Sequence, residues 1–121
     1  METKVLIVDD STMSRKIVKR ALPPEWEISI SEASNGIEAL EAYHAGKADV
    51  MFLDLTMPEL DGYGVLESLK NEGAKACIFV VSADIQPEAY KRVISLGAMA
   101  FIKKPITPEK MQVELQKVGL I

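Results

Sequence analysis

The chain has 121 residues, 48% of them hydrophobic, a single cysteine and a formal net charge of -4 at pH 7. That length and apolar content suit one domain with its own core and leave no room for a second. The acidic balance argues against a protein whose main work is gripping nucleic-acid phosphates, Cys77 has no partner for an internal disulfide, and no apolar run reaches the length of a membrane span or signal peptide, so a cytoplasmic protein is expected.

In chain order, residues 4–8 (KVLIV) form an unbroken apolar run, the pattern of a strand covered on both faces, and it stops at Asp9 and Asp10. Ser11 is placed to cap a helix with Met13, Ile17 and Ala21 on its inner face, closed by Pro23 and Pro24. Residues 27–33 alternate Ile28 and Ile30 with Ser29 and Ser31, which predicts a half-exposed strand at a sheet edge. Asn35 and Gly36 then turn into a second helix carrying Ile37, Leu40 and Tyr43 inward, with Gly46 as its stop.

The short run 50–53 ends abruptly in Asp54, and Pro58, Asp61 and Gly62 make the turn into a third helix over 63–71, with Leu66 and Leu69 inward. Residues 76–81 (ACIFVV) are another unbroken apolar run, closed by the hydroxyl of Ser82. Pro87 suits the first turn of a fourth helix that would pack Ala89, Val93, Ile94 and Leu96 and stop at Gly97. A short fifth strand over 98–102 leads to Lys103, Lys104 and Pro105, after which Thr107 and Pro108 open a last helix with Met111, Leu115 and Val118 inward.

Five strand–helix pairs in strict alternation predict an α/β fold, a doubly wound parallel sheet with five helices on its two faces. Function in such folds gathers at the carboxyl ends of the strands. Four of the five predicted strands deliver a charged or hydroxyl group there: Asp9 and Asp10, Asp54, Ser82 and Lys104. Alone, Asp9 and Asp10 would read as favourable charges at a helix N-terminus, Ser82 as a turn residue and Lys104 as a solvated charge. Together, three carboxylates brought within ~5 Å repel by roughly 3 kcal/mol per pair at an effective dielectric near 20, so they need a cation. Oxygen ligands without cysteine or histidine favour Mg²⁺ over zinc. A lysine and a hydroxyl beside them suit a phosphoryl group, and the implied chemistry is phosphoryl transfer onto a carboxylate.

The acidic pair Asp9-Asp10 followed by Ser11, the segment FLDLTMPELDG around Asp54, the VSA turn at Ser82 and Ala83, and the dipeptide Lys104-Pro105 resemble, in order and over the whole chain, the receiver domain of two-component response regulators. The resemblance implies a flavodoxin-like five-stranded sheet of order 2-1-3-4-5. It implies a phosphoacceptor at Asp54, charged by a sensor histidine kinase or phosphotransfer protein. Asp10, Asp54 and the backbone carbonyl of Thr56 would hold Mg²⁺, with Asp9 acting mainly through water. Lys104 would pair with the phosphoryl oxygens, Ser82 would turn inward to bond them, and Phe101 would swing into the space left, altering a surface made of the fourth helix, fifth strand and fifth helix. Lys91, Arg92, Ser95 and Lys103 are candidates for that output surface, with Lys110 nearby. The Lys104-Pro105 bond is expected to be cis.

Phe101 lacks a hydroxyl, so a switch that depends on a tyrosine hydrogen bond is excluded. Thr56 and Asp84 lie where the family tunes its phosphoryl lifetime, and an acidic Asp84 is expected to orient a water and shorten it. His44 is expected exposed near a helix end; Trp26 and Cys77 are expected to pack without chemistry. The chain ends just beyond its last helix, so a stand-alone, non-enzymatic response regulator with no output domain is expected, acting on an unidentified partner protein as in chemotaxis and existing as a monomer or a phosphorylation-dependent homodimer. A phosphorelay intermediate or phosphate sink is the alternative, and a phosphorylation-independent binding module is another. An aspartate-nucleophile phosphatase would want a second acid where Thr56 stands, and a flavin mononucleotide carrier would be opposed by Asp9 and Asp10.

Overall fold

The computed structural model describes residues 2–83 and 86–121. Its elements alternate as β1 (Thr3–Val8), α1 (Thr12–Ala21), β2 (Ile28–Ala33), α2 (Gly36–His44), β3 (Val50–Asp54), α3 (Gly62–Asn71), β4 (Cys77–Ser82), α4 (Pro87–Ser95), β5 (Ala100–Lys103) and α5 (Pro108–Lys117). All strand pairs are parallel, in the order β2-β1-β3-β4-β5. The order reverses between β1 and β3, which opens a crevice at their carboxyl ends.

The apolar runs are the central strands, as their lack of alternation requires: Val5–Val8 and Val50–Leu53 are almost wholly inaccessible. Each face of the sheet carries its own core. Leu6, Val8, Met51, Leu53 and Val80 meet Ala39, Val65, Leu66, Leu69 and Val93 from α2, α3 and α4. Val5, Ile7, Phe52, Phe79 and Ile102 meet Val18, Ala21, Met111 and Leu115 from α1 and α5, with Phe52 and Phe79 stacked at 5.2 Å. Trp26 and Cys77 pack against this second core, and burial raises the Cys77 thiol above its ordinary pKa.

The caps expected at Ser11 and Thr107 open α1 and α5. Ser11, Asn35, Asp61 and Thr107 each accept a backbone N–H from the first turn of α1, α2, α3 and α5. Helix rotation differs from expectation in places. In α1 the buried residues are Val18 and Ala21, while Met13 and Ile17 are exposed. Ile37 of α2, Ile94 of α4 and Ile30 of β2 are exposed as well. The apolar side chains of these amphipathic segments outnumber the places that the sheet offers, so small residues such as Ala21, Ala39 and Ala89 take the positions nearest the strands.

Candidate acidic phosphoacceptor site

The site is assembled from three strand ends and two loops. Asp9 follows β1, Asp54 ends β3 and Ser82 ends β4, and all three are buried although the residues are polar. Asp10 is exposed at the rim. The third helix begins hard against this edge: Gly62 donates its N–H to Leu55 O at 3.0 Å, and a Cβ on Gly62 would collide with the Asp54 carbonyl oxygen. A side chain there would push α3 away from the carboxylate it borders.

Oxygen atoms of Asp9, Asp10 and Asp54 lie within 4.8 Å of one another. Lys104, carried in by the loop after β5, donates to Asp9 Oδ2 at 3.1 Å and to Asp54 Oδ1 at 3.4 Å. Its backbone N–H is fixed to Ser82 O at 2.9 Å, and the following bond to Pro105 is cis, as expected. Asp9 Oδ1 accepts the Ser11 N–H at 2.9 Å, so both of its oxygens are engaged.

Burial raises the Asp54 pKa above the ordinary carboxylate value, the charge of Asp9 raises it further, and Lys104 only partly offsets them. For Lys104, burial opposes the charged ammonium but is outweighed by Asp54 and Asp9, so its pKa is raised. The lysine is therefore held protonated, and it leaves Asp54 under-compensated. A donor set made only of carboxylate oxygens, converging at this spacing with an open rim at Asp10, fits Mg²⁺ by its chemistry.

The remaining expected residues are placed as follows. Thr56 is exposed in the loop after Asp54, and Asp84 lies outside the described residues. Phe101 is half-buried against the core under α2, α3 and α4, with the Tyr90 ring 6.1 Å away on α4. Lys91 and Lys103 are exposed, whereas Arg92 stacks over Tyr63 of α3 at 3.9 Å and Ser95 O accepts Lys70 Nζ of α3 at 2.8 Å. Lys110 Nζ donates to the carbonyls of Lys103 and Pro105, tying α5 to the lysine loop. His44 is exposed and sits 2.9 Å from Glu72.

Two participants escaped sequence reasoning. Tyr90, an aromatic on an exposed helix face beside Phe101, carried a signal only if its neighbour across the sheet edge was known. Arg15 reaches back to the acidic loop: its Nη1 donates to the Asp9 backbone carbonyl at 2.6 Å. Nothing in the spacing of Asp9 and Arg15 marks that bond, because a residue one turn into a helix is ordinarily a solvated charge.

The family model described as "Response regulator receiver domain" matches residues 5–116. The chain is 34% identical to the chemotaxis protein CheY of Bacillus subtilis over 117 residues, covering 97% of this chain and 98% of that one. It is 36% identical to CheY of Thermotoga maritima over 119 residues, covering 98% and 99%. Among solved structures, the CheX-CheY-BeF3-Mg²⁺ complex from Borrelia burgdorferi superposes with a TM-score of 0.86 at 31% identity, over 96% of this chain and 88% of that one. With the strand order, the acidic cluster and the lysine at its edge already in place, these matches show that the chain belongs to the response regulator receiver domain family of two-component signalling, and within it resembles CheY.

Proposed function

We propose that the chain is a phosphorylation-driven switch: Asp54 accepts a phosphoryl group from the phosphohistidine of a sensor kinase or phosphotransfer protein, and the surface of α4, β5 and α5 then changes its affinity for a partner protein. One observation carries the reading. Asp54 is buried at a strand end with two further carboxylates and a single lysine, an arrangement that costs stability and that packing alone does not call for.

In the transfer, an Asp54 oxygen attacks phosphorus as the phosphorus–nitrogen bond breaks, and the electron pair of that bond leaves with the imidazole. Lys104, 3.4 Å from Asp54, meets the phosphoryl oxygens, and the Ser82 hydroxyl donates to them. Asp10, Asp54 and the Thr56 carbonyl would hold Mg²⁺, with Asp9 acting through water; when bound, the ion neutralises charge among the acids and on the transferred group. As Ser82 turns toward the phosphoryl group, Phe101 swings into the space it leaves, and the Tyr90 ring, 6.1 Å from Phe101, carries the change to α4. Asp84 orients a water and shortens the lifetime of the phosphorylated state.

Intact mass after incubation with acetyl phosphate tests the reading. One phosphoryl adduct is expected with Mg²⁺, absent without it and absent in Asp54→Asn. No adduct in the wild type under either condition would sink it and leave a phosphorylation-independent binding module.

A further inference from the structure

The peptide unit between Asp9 and Asp10 sets how the two carboxylates leave the backbone, since its plane shares the ψ of one residue and the φ of the other. Along β1 the ladder to β2 ends at Val8 and Ala33, with one further bond from Asp9 N to Ala33 O. The Asp9 carbonyl, which belongs to that peptide unit, takes the Arg15 guanidinium in place of a strand amide, at 2.6 Å.

Arg15 is itself held. Its Nε donates to Glu32 Oε1 at 2.8 Å and its Nη2 to Thr12 Oγ1 at 3.2 Å, and only 14% of its side chain is exposed. Glu32, near the end of the edge strand, is fixed in turn by Lys19 Nζ at 2.8 Å. Both cations lower the Glu32 pKa, Lys19 first and Arg15 second, through hydrogen bonds to its carboxylate. The fork of one guanidinium therefore joins the sheet edge, the first turn of α1 and the backbone of the acidic loop.

We propose that Arg15, aimed by Glu32, is a positioning residue for divalent-cation binding: it holds the Asp9–Asp10 peptide so that the exposed Asp10 carboxylate and the buried Asp9 carboxylate are presented together. The inference rests on the reading of the acidic cluster as a cation site. Outer-shell partners of metal ligands typically alter affinity by about 10- to 100-fold when removed, and a residue that acts through a backbone carbonyl belongs at the lower end.

The sign of the effect separates positioning from charge. Arg15 is positive, so if charge were all it contributed, removing it would tighten binding of a cation. Loss of position loosens it. Isothermal titration of the full chain with MgCl2 alone, with circular dichroism confirming the fold, reads the difference. Arg15→Gln is expected to weaken Mg²⁺ binding about 10-fold, Glu32→Gln to weaken it in the same direction by less, and Arg15→Lys to recover part of the loss. Lys16→Gln, which removes an equal charge from the exposed side of the same helix, is expected not to weaken it.

Unchanged or tighter binding by folded Arg15→Gln overturns the proposal, as does an equal loss in Lys16→Gln. Should Arg15→Gln not fold, Arg15→Lys, which keeps the charge and loses the guanidinium fork, decides in its place, and unchanged affinity there overturns the proposal. A wild type that does not bind Mg²⁺ removes the cation-site reading and the role of Arg15 with it, a result distinct from a wild type that binds and a variant that binds equally.

Discussion

The two ends of the sheet handle acidic groups in opposite ways. At the amino end, Asp49 accepts the Lys4 backbone N–H at 2.9 Å and Glu72 pairs with His44, both in solvent, so each charge is met locally and water screens the rest. At the carboxyl end, Asp9 and Asp54 are buried, share one lysine and lie beside a third carboxylate. The first arrangement is close to neutral for stability. The second is under-compensated, and a shortage of positive charge among converging carboxylates is the condition that a bound cation would relieve.

Removing Lys104 from the crowded end should have the largest effect. Lys104→Met leaves the buried Asp9 and Asp54 carboxylates without the ammonium they share, and a loss of about 1–3 kcal/mol is expected, below the range for a fully buried pair because the lysine is partly exposed. Millimolar Mg²⁺ should return much of it, since an ion can stand where the ammonium stood. Thermal unfolding with and without Mg²⁺ checks both halves, and a variant as stable as the wild type without the ion would erase the contrast between the two ends.

Relieving the crowding should act in the reverse direction. Asp54→Asn is expected to stabilise the metal-free protein at pH 7 by on the order of 1 kcal/mol, a rise of several degrees in Tm. The pH dependence follows from the same cause. Burial raises the Asp54 pKa in the folded state, so its contribution is present below the unfolded carboxylate value near 3.8 and is lost as pH rises through the elevated folded value. Metal-free wild type minus Asp54→Asn, followed by unfolding from pH 4 upward, should therefore show the wild type losing ground as pH increases. A difference independent of pH would assign the effect to packing.

The smallest effect belongs to the solvated end. His44→Gln should change stability by under ~0.5 kcal/mol, and 0.5 M salt should remove most of that, because the pair with Glu72 is exposed. A loss comparable with that of Lys104→Met would mean that the two ends are not different in kind.

Element order, the edge position of β2, the caps at Ser11 and Thr107, and the group of Asp9, Asp10, Asp54, Ser82 and Lys104 at one sheet edge were legible in the sequence, because each depends on local pattern and on the direction rule for parallel strands. Which way α1 and α2 rotate on the sheet was not. Met13, Ile17 and Ile37 carry the same periodic signal as Val18 and Ala39, and only the space between helix and strand selects the smaller residue for the inner face. Arg15 on the Asp9 carbonyl, Arg92 over Tyr63 and Tyr90 beside Phe101 are likewise tertiary facts, set by where separate elements come to rest. The sequence by itself determined which chemical groups arrive at the site, since strand ends carry them there. Only the tertiary structure decided how those groups are aimed, since aim depends on neighbours that no local pattern names.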